Sequence, residues 1–287
     1  MISVLIRRIA FGACASALAM GIALAAPSAQ AADAISGKLW QEYGAAIRDS
    51  VVALPSEVVT DLALPDPSNP LTQWKEIDGE QYLLMSNMRF APLTDAAPGS
   101  AFSLKGDTWV SIAGEIDREC VKAGCLRMNA SRLDLRLKQL LGLPPDASYG
   151  YVTRIWVRPA DLFRPCTDPR VTSATCPARV PADAPTTIDG VDLAQFMWKQ
   201  ANDAWRLPDV RRHSMPVSCA ADYKDERKGQ CAGYPWTRLG YTYDWAPSAP
   251  DDRGVTEFVI PRGTTVYLDS SGPQRDYYPS AASAAQS

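Results

Sequence analysis

The sequence has only one histidine in 287 residues, His213, and this scarcity excludes several catalytic designs. A Ser–His–Asp triad would have to use His213, which stands in the segment VRRHSMP beside Arg211 and Arg212. Two adjacent positive charges oppose protonation of an imidazole, so we interpret His213 as a loop residue and not as a general base. The sequence also lacks a GxSxG elbow, a P-loop, an HExxH helix and a dinucleotide-binding glycine fingerprint. No standard signature therefore identifies an activity.

Beyond its first 31 residues the chain lacks any apolar run of the roughly 18 residues that a membrane-spanning helix needs. Residues 1–31 have the pattern of a secretory signal peptide: a positive start, an apolar run and a small-x-small AQA end at 29–31. A lipoprotein signal and a twin-arginine signal are weaker alternatives, because Cys14 lies inside the apolar run and Phe11 falls one place late. We therefore predict an exported protein, periplasmic or secreted, without a membrane span.

An excess of basic residues is also missing, since 29 Lys and Arg stand against 32 Asp and Glu. A mildly acidic chain argues against nucleic acid and against anionic membranes as partners. The basic clusters RRH at 211–213 and YKDERK at 223–228 are best interpreted as solvated surface. The expected partner is an unidentified small molecule or protein.

Six cysteines remain after the predicted signal peptide, an even number that favours disulfides in an exported chain. Fifteen pairings are possible, and we favour neighbour with neighbour because each pair brackets a polar or proline-rich loop. No spacing is CxxC and one histidine cannot complete a Cys/His zinc set, so no metal site and no cofactor are predicted. The predicted pairs are Cys120 with Cys125, Cys166 with Cys176, and Cys219 with Cys231.

The N-terminal part of the predicted mature chain, residues 32–70, divides into a helix and a linker. Apolar residues recur every fourth position over 37–53, which predicts a helix. The segment 54–70 contains four prolines, which favour extended or turning backbone.

Residues 71–270 are predicted to form a single domain. Strands are indicated by QYLLMSNMRF, DTWVSIAGEI and YGYVTRIWV, and helices by the leucine spacing after Ser131, a plausible N-cap, and by residues 189–205. Helices and strands alternate only loosely and without glycine-rich βαβ turns, so we predict an α+β fold with a mainly antiparallel sheet and two or three packed helices. Residues 271–287 are small and polar, and we predict a disordered tail there.

The stretch YPWTRLGYTYDW, residues 234–245, carries the main candidate site. Strand alternation places its odd residues from Leu239 to Trp245 on an apolar face and its even residues on a polar face. Pairing with residues 255–260 segregates the apolar faces best when Tyr241 lies opposite Phe258. In that register a shallow polar groove would be lined by Trp236, Arg238, Asp244 and Glu257.

Two interpretations of this groove remain open. In one, an arginine binds anions and Glu257 performs acid or base chemistry; in the other, the hairpin is ordinary and its charges are solvated. The segment WVRPADLFRPC has the same ambiguity, because Arg158 and Arg164 flank Asp161. Either an Arg–Asp pair pins the loop, or both arginines converge on an acidic ligand.

Four segments, TWVSIAGEIDREC, LRLKQLLGLPP, IWVRPADLFRPCTDP and PWTRLGYTYDW…GVTEFVI, together resemble a set of uncharacterised exported bacterial proteins over roughly residues 72–262. That resemblance implies no activity. The segment TEFVIPRGTTVYL is similar to the final active-site strand of ADP-ribosyltransferases, and this likeness implies a catalytic role for Glu257. Val255 replaces the first acid or glutamine of that family's E/Q-x-E pattern, and its Ser-Thr-Ser strand is not evident.

These observations favour an exported domain that binds a ligand or a partner. The alternative is an exported enzyme, either a hydrolase or an ADP-ribosyltransferase-like toxin, that uses Glu257.

Overall fold

The structure, a computed structural model, describes residues 29–50, 52–188, 190–205 and 234–279. His213 and the predicted pair Cys219–Cys231 lie outside these ranges, as does most of the predicted signal peptide.

Five α-helices and eleven strands form the described part of the chain. The helices are α1 (Ala29–Asp49), α2 (Ala113–Lys122), α3 (Ala130–Leu140), α4 (Leu193–Trp205) and α5 (Gln274–Tyr277). The first six strands are β1 (Trp74–Ile77), β2 (Glu80–Arg89), β3 (Ala101–Ser103), β4 (Thr108–Ile112), β5 (Tyr151–Val157) and β6 (Thr187–Ile188). The others are β7 (Val191–Asp192), β8 (Tyr241–Tyr243), β9 (Arg253–Thr256), β10 (Phe258–Ile260) and β11 (Thr265–Pro273).

Seven of the strands form one antiparallel sheet in the order β10-β4-β2-β5-β11-β3, with β1 beside β2. Strands β6 and β7 form a small separate pair, and so do β8 and β9. The predicted α+β class with a mainly antiparallel sheet is therefore confirmed, although five helices are seen in the described part where two or three were expected.

One face of the large sheet forms the main core, because alternate apolar residues of its strands point the same way. Helices cover other parts of the structure: Tyr43 and Ile47 of α1 pack on Trp245, and Leu133 of α3 packs with Val255. The buried residues of the main core include Leu83, Met85, Val110, Ile112, Ile155, Val157, Phe258, Ile260, Val266 and Leu268.

Two local predictions, at the starts of α2 and α3, were wrong. The strand predicted through DTWVSIAGEI ends at Ile112, and α2 begins at once, since its apolar residues Ile116 and Cys120 recur at helical spacing. The N-cap of α3 is Asn129, whose side chain accepts a hydrogen bond from the backbone N–H of Arg132 at 3.0 Å; the predicted N-cap Ser131 lies inside the helix.

Disorder was predicted to begin at residue 271, which is too early. Residues 271–273 complete β11 against β5, and α5 follows immediately. Tyr278 is buried, and its hydroxyl donates a hydrogen bond to Asp117 at 3.0 Å. Burial of this apolar ring supplies the ordering that a small, polar composition did not suggest.

Two of the three predicted disulfides are confirmed, Cys120–Cys125 and Cys166–Cys176. The first joins the end of α2 to the following turn. The second is buried against Leu62 and Leu239, and it closes the proline-rich loop that follows β5.

Removing Cys166–Cys176 by a double alanine substitution should lower the free energy of unfolding by about 2–3 kcal/mol, because the unfolded chain regains loop entropy. The Cys120–Cys125 double variant should lose about 0.6 kcal/mol less, since its loop spans 5 residues and not 10. Chemical denaturation of both double variants beside the parent protein measures this, and unchanged midpoints would refute a stabilising role for the bridges.

Within the described residues, none of the helices is long and apolar enough to cross a bilayer.

Candidate functional site: a cleft between two separating strands

A cleft opens where β2 and β4 separate. These strands pair only at Met85 with Ile112 and at Ser86 with Ser111. Beyond Ser86, β2 continues alongside β5 as far as Arg89, while β4 runs alongside β10. The two strands diverge on either side of a cavity of about 400 Å³, a size that suits a small molecule.

Aromatic side chains form much of the wall of this cleft. The rings of Trp109 and Trp236 meet edge to face with centroids 5.4 Å apart, and Tyr234 stacks on Trp236 at 5.9 Å. Phe90 stands at the rim with 68% of its surface exposed. Such walls offer apolar contact area and ring faces to a ligand.

Glu257 lies in the cleft because of its position between two strands. Its neighbour Phe258 pairs with Val110 and points into the main core, so alternation turns the Glu257 side chain to the opposite side. The backbone N–H of Glu257 donates to the carbonyl of Gly240 at 3.0 Å, which fixes the residue beside the aromatic stretch. A carboxyl group is thereby held in the lining of an otherwise aromatic cavity.

The Glu257 carboxyl is almost completely buried, with 4% of the residue exposed. Its Oε1 accepts a hydrogen bond from the indole Nε1–H of Trp236 at 3.0 Å, and Oε2 has no hydrogen-bond partner among the described residues. Burial raises the pKa of Glu257 to about 8, although the Trp236 bond and the charge of Arg164 oppose the shift. At neutral pH this group is therefore predominantly a neutral acid that can donate a proton or a hydrogen bond.

Asn87 supplies a second polar group with unused capacity. Its Nδ2 donates to the backbone carbonyl of Trp109 at 2.6 Å, a contact that bridges the two diverging strands. A carbonyl can only accept, so the amide nitrogen must face Trp109, and the orientation of the side chain is fixed. Oδ1 of Asn87 is buried and has no partner within the described part of the chain, which leaves this hydrogen-bond acceptor unsatisfied.

The charged side chains among the described lining residues are Glu257, Arg89 and Asp107. The Arg89 guanidinium lies 5.8 Å from the ring centre of Phe90, and Oδ1 of Asp107 accepts from the backbone N–H of Arg262 at 3.0 Å. One positive and one negative group at neutral pH, with Glu257 uncharged, give the cleft little preference for either sign of ligand charge.

Of the residues that sequence reasoning selected, only Trp236 and Glu257 come together in this cleft. Arg164 is fully buried behind it: its guanidinium donates to the backbone carbonyls of Ser173 and Ala63, and lies 5.3 Å from the ring centre of Phe258. Burial lowers the pKa of Arg164 to about 10, so it stays positively charged near Glu257 but does not line the cavity.

Arg158, Arg238 and Asp244 lie elsewhere. Arg158 is on the surface and forms two hydrogen bonds with Asp161, which favours the loop-pinning interpretation. Arg238 is buried and donates to the backbone carbonyl of Ser50 at 2.9 Å. Asp244 forms a two-bond ion pair with Arg136, at 2.9 and 2.5 Å.

The predicted strand register of this region was wrong. Tyr241 lies opposite Thr256 and not opposite Phe258, and β10 pairs with β4 instead. Gly254 permits this register, because a Cβ built there would lie 2.7 Å from the backbone oxygen of Thr242 on the paired strand. Only a glycine allows the two backbones to approach so closely.

The predicted polar face of residues 236–245 is also not solvated. Trp236, Arg238 and Asp244 are all buried. Gly240 has a positive φ of 81°, and a Cβ there would lie 2.7 Å from Cδ of Arg164, so the space beside Gly240 is filled by the side chain of Arg164. The shallow groove of the sequence prediction does not exist, and Glu257 faces a different and deeper cleft.

Sequence reasoning missed Asn87, Trp109 and Tyr234. The one available signal was the pair Ser86-Asn87 inside the apolar run of β2, since polar residues in a buried strand need a partner. The separation of β2 from β4 depends on tertiary packing and leaves no local pattern.

A second and larger cavity, of about 1020 Å³, lies beside α2 and contains many charged side chains. Its charges largely neutralise one another, as in the pairs Arg136–Asp244 and Lys122–Glu119. It contains buried Glu115, whose carboxyl accepts hydrogen bonds from the N–H and hydroxyl of Thr256. We regard the aromatic cleft as the better candidate, because it keeps polar atoms available for a ligand.

The described residues contain no cluster of three His, Cys, Asp or Glu side chains that could hold a metal ion. Comparisons of the chain with protein-family models, with curated proteins and with solved structures find no match. The chemistry of the cleft is therefore the basis for a functional inference.

Proposed function

We propose that this protein is an exported binding protein whose cleft between β2 and β4 takes a small, uncharged ligand that combines an apolar face with polar groups. The observation that carries the proposal is the buried Glu257 carboxyl, held by Trp236 in an aromatic-walled cavity. Pockets that are mostly apolar with a few placed polar groups are typical of small-molecule sites.

Export is supported by the signal-peptide pattern of residues 1–31 and by the two disulfides, which persist in oxidising compartments. An uncharged ligand is supported by the neutral state of Glu257 and by the balance of Arg89 against Asp107 at the cleft.

An enzyme that uses Glu257 as a general acid is the second candidate, either a hydrolase or an ADP-ribosyltransferase-like protein. A carboxyl group that stays protonated near neutral pH is suited to proton donation. We favour binding, because the sequence carries none of the standard hydrolase signatures. Glycoside hydrolysis also needs a second carboxyl group placed across the scissile bond, and the other carboxylate in the described lining, Asp107, is held through Oδ1 by the backbone N–H of Arg262.

Glu257→Gln separates the two candidates. Glutamine keeps a carbonyl oxygen for Trp236 and an N–H group that can donate to a ligand, but it cannot transfer a proton. A binding protein should keep its affinity within about threefold in this variant, whereas an enzyme should lose turnover by roughly 100-fold or more. Turnover of any glycoside, ester, peptide or NAD by the parent protein, abolished in Glu257→Gln, would refute the binding proposal.

Phe90→Ala should weaken ligand binding in the cleft about fivefold, because it removes an exposed aromatic contact worth on the order of 1 kcal/mol. The ligands to screen are N-acetyl-D-glucosamine, D-glucose and N-acetyl-L-alanine methylamide, followed by tryptophan fluorescence and calorimetry. Val180→Ala is the matched control, since Val180 is 65% exposed and does not line the cleft. Equal affinities of both variants and the parent protein would place binding outside this cleft.

A further inference from the structure

We infer that the hydroxyls of Ser86 and Ser111 and the carboxyl of Glu257 form a polar row, at the point where β2 and β4 begin to separate, that binds the hydroxyl groups of a sugar. This inference rests on the proposed binding function and names the chemical class of the ligand. It depends on three buried polar side chains that share one face of the sheet and have hydrogen-bonding capacity left for a ligand.

The two serines are neighbours on the cleft side of the sheet. Ser86 and Ser111 lie directly opposite each other in the last pair of the β2–β4 ladder. The adjacent pair, Met85 with Ile112, belongs to the main core. Since successive side chains of a strand point to opposite faces, both serines point away from that core.

Glu257 continues the polar row on the other side of β4. Phe258 pairs with Val110 and points into the main core, so the preceding Glu257 points to the same side as the serines. The same antiparallel register places Glu257 level with Ser111, which follows Val110. Directly opposite residues have Cβ atoms about 5 Å apart, so the polar row crosses three strands in roughly 10 Å.

The polar row has hydrogen-bonding capacity that the protein does not use. Ser86 and Ser111 are buried, with 3% and 4% of their surfaces exposed. Neither hydroxyl, nor Oε2 of Glu257, forms a hydrogen bond within the described part of the chain. The other hydroxyls of the lining differ in this respect, since those of Thr108 and Thr242 donate to backbone carbonyls.

The oxygen atoms of the polar row are also accessible from the cavity. Among buried side-chain oxygens of the described residues, Oδ1 of Asn87 is the one that lacks both a hydrogen-bond partner and accessible surface. The oxygens of Ser86 and Ser111, and Oε2 of Glu257, lack a partner but keep accessible surface, and all three residues line the cleft. A ligand in the cleft can therefore reach the polar row, whereas it cannot reach Oδ1 of Asn87.

The chemistry of the polar row matches that of a sugar. A hydroxyl and a neutral carboxyl each donate and accept hydrogen bonds, and burial raises the pKa of Glu257 to about 8, which keeps it predominantly neutral at pH 7. Sugar hydroxyls also donate and accept, so several of them can bond along such a row. Trp109 lies two residues from Ser111 on the same face of β4, where its ring is placed to contact the C–H face of a sugar. A ligand with a single amide or hydroxyl would use only part of the row.

Isothermal titration calorimetry of the purified protein with two groups of uncharged compounds tests the ligand class. D-glucose, D-galactose and N-acetyl-D-glucosamine are the sugars, and cyclohexanol and N-acetyl-L-alanine methylamide are the compounds without a set of hydroxyls. At least one sugar should bind ten times or more tightly than both of the other compounds. Cellobiose and lactose carry glucose and galactose at the end of a chain, so tighter binding of these disaccharides would identify a glycan end and not a free sugar as the source.

Ser86→Ala and Ser111→Ala should each weaken sugar binding about threefold to tenfold, the ratio expected for loss of one neutral hydrogen bond. Neither variant should lower the midpoint of urea denaturation, because the described protein makes no hydrogen bond to either hydroxyl. Ser271→Ala is the matched control. The Ser271 hydroxyl bonds to that of Thr153 at 2.9 Å between β11 and β5, outside the cleft, so this variant should lose stability and keep its sugar affinity.

Sugars that bind no more tightly than cyclohexanol or the amide would overturn the sugar inference and leave the binding function intact. Sugar affinity that is unchanged in both Ser86→Ala and Ser111→Ala would overturn the assignment of the polar row. Absence of binding by every compound would overturn both the inference and the proposed function. The comparison between compounds gives its answer in the parent protein even if a variant does not fold.

Discussion

Raising the pH from 5 to 8 should lower the free energy of unfolding of the parent protein by several kcal/mol relative to Glu257→Gln. The pKa of Glu257 is about 8 in the folded protein, against an ordinary value of 4.5. Below pH 4.5 the carboxyl is protonated in both states, and this group adds no pH dependence. Between 4.5 and 8 the unfolded chain releases the proton while the folded protein keeps it, so unfolding becomes more favourable by about 1.4 kcal/mol for each pH unit. Above pH 8 both states are ionised and the difference levels off.

Urea denaturation of both proteins across this pH range measures the effect. Glu115, another buried carboxyl, also has its pKa raised by burial, so Glu115→Gln serves as the matched variant that shows its separate contribution. If the stability curves of the parent protein and Glu257→Gln run parallel with pH, Glu257 is ionised at neutral pH in the folded protein. It could then not donate a hydrogen bond in the cleft.

Asp244→Ala should lower the free energy of unfolding by about 3–5 kcal/mol, because it leaves the guanidinium of Arg136 without its partner in a largely buried place. The side chains of Arg136 and Asp244 are 16% and 4% exposed. Arg158→Ala breaks an ion pair of similar geometry on the surface, where the Arg158 side chain is 47% exposed, and should cost less than about 1 kcal/mol.

Thermal and chemical denaturation of Asp244→Ala and Arg158→Ala test this contrast directly. Similar losses in both variants would contradict the assignment of Asp244 to a buried structural pair. Ligand affinity supplies an independent check: neither residue lines the aromatic cleft, so folded Asp244→Ala protein should bind as the parent does.

The parts of the fold that could be predicted from the sequence are those with local causes. Leucine spacing defines α3, an apolar run defines β2, a β-branched and aromatic run defines β5, and short polar loops bring neighbouring cysteines together. These features depend on residues close in the chain, and hydrophobic periodicity reports them.

The register of residues 234–260 could not be predicted, because it depends on close approaches between distant segments. Gly254 meets Thr242, and Gly240 meets Arg164, a residue from the loop after β5. Alternation assumed one wet face, whereas α3 covers that side: Thr242 donates to the carbonyl of Leu140, and Asp244 accepts from Arg136. Burial on both faces removes the contrast that alternation needs.

The candidate site could be predicted only in part, because half of it also depends on contacts between distant segments. Glu257 and Trp236 are close in the folded chain because Glu257 bonds to the backbone of Gly240, near the predicted hairpin. Asn87 and Trp109 come from strands that are far from this hairpin in sequence, and their contribution depends on the separation of β2 and β4. Tertiary geometry of this kind brings an unremarkable strand residue to the edge of the cleft.

The most direct test of a ligand site in this cleft is an NMR titration of the tryptophan indole N–H signals with the three compounds of the ligand screen. The indole of Trp236 bonds to Glu257, and Trp109 contacts it, whereas the indoles of Trp74 and Trp156 bond to Thr72 and Asp269 outside the cleft. We expect saturable shifts of the Trp109 and Trp236 signals with at least one of these compounds, and unchanged signals for Trp74 and Trp156. If no compound shifts the Trp109 and Trp236 signals selectively, the cleft is not the binding site proposed for it.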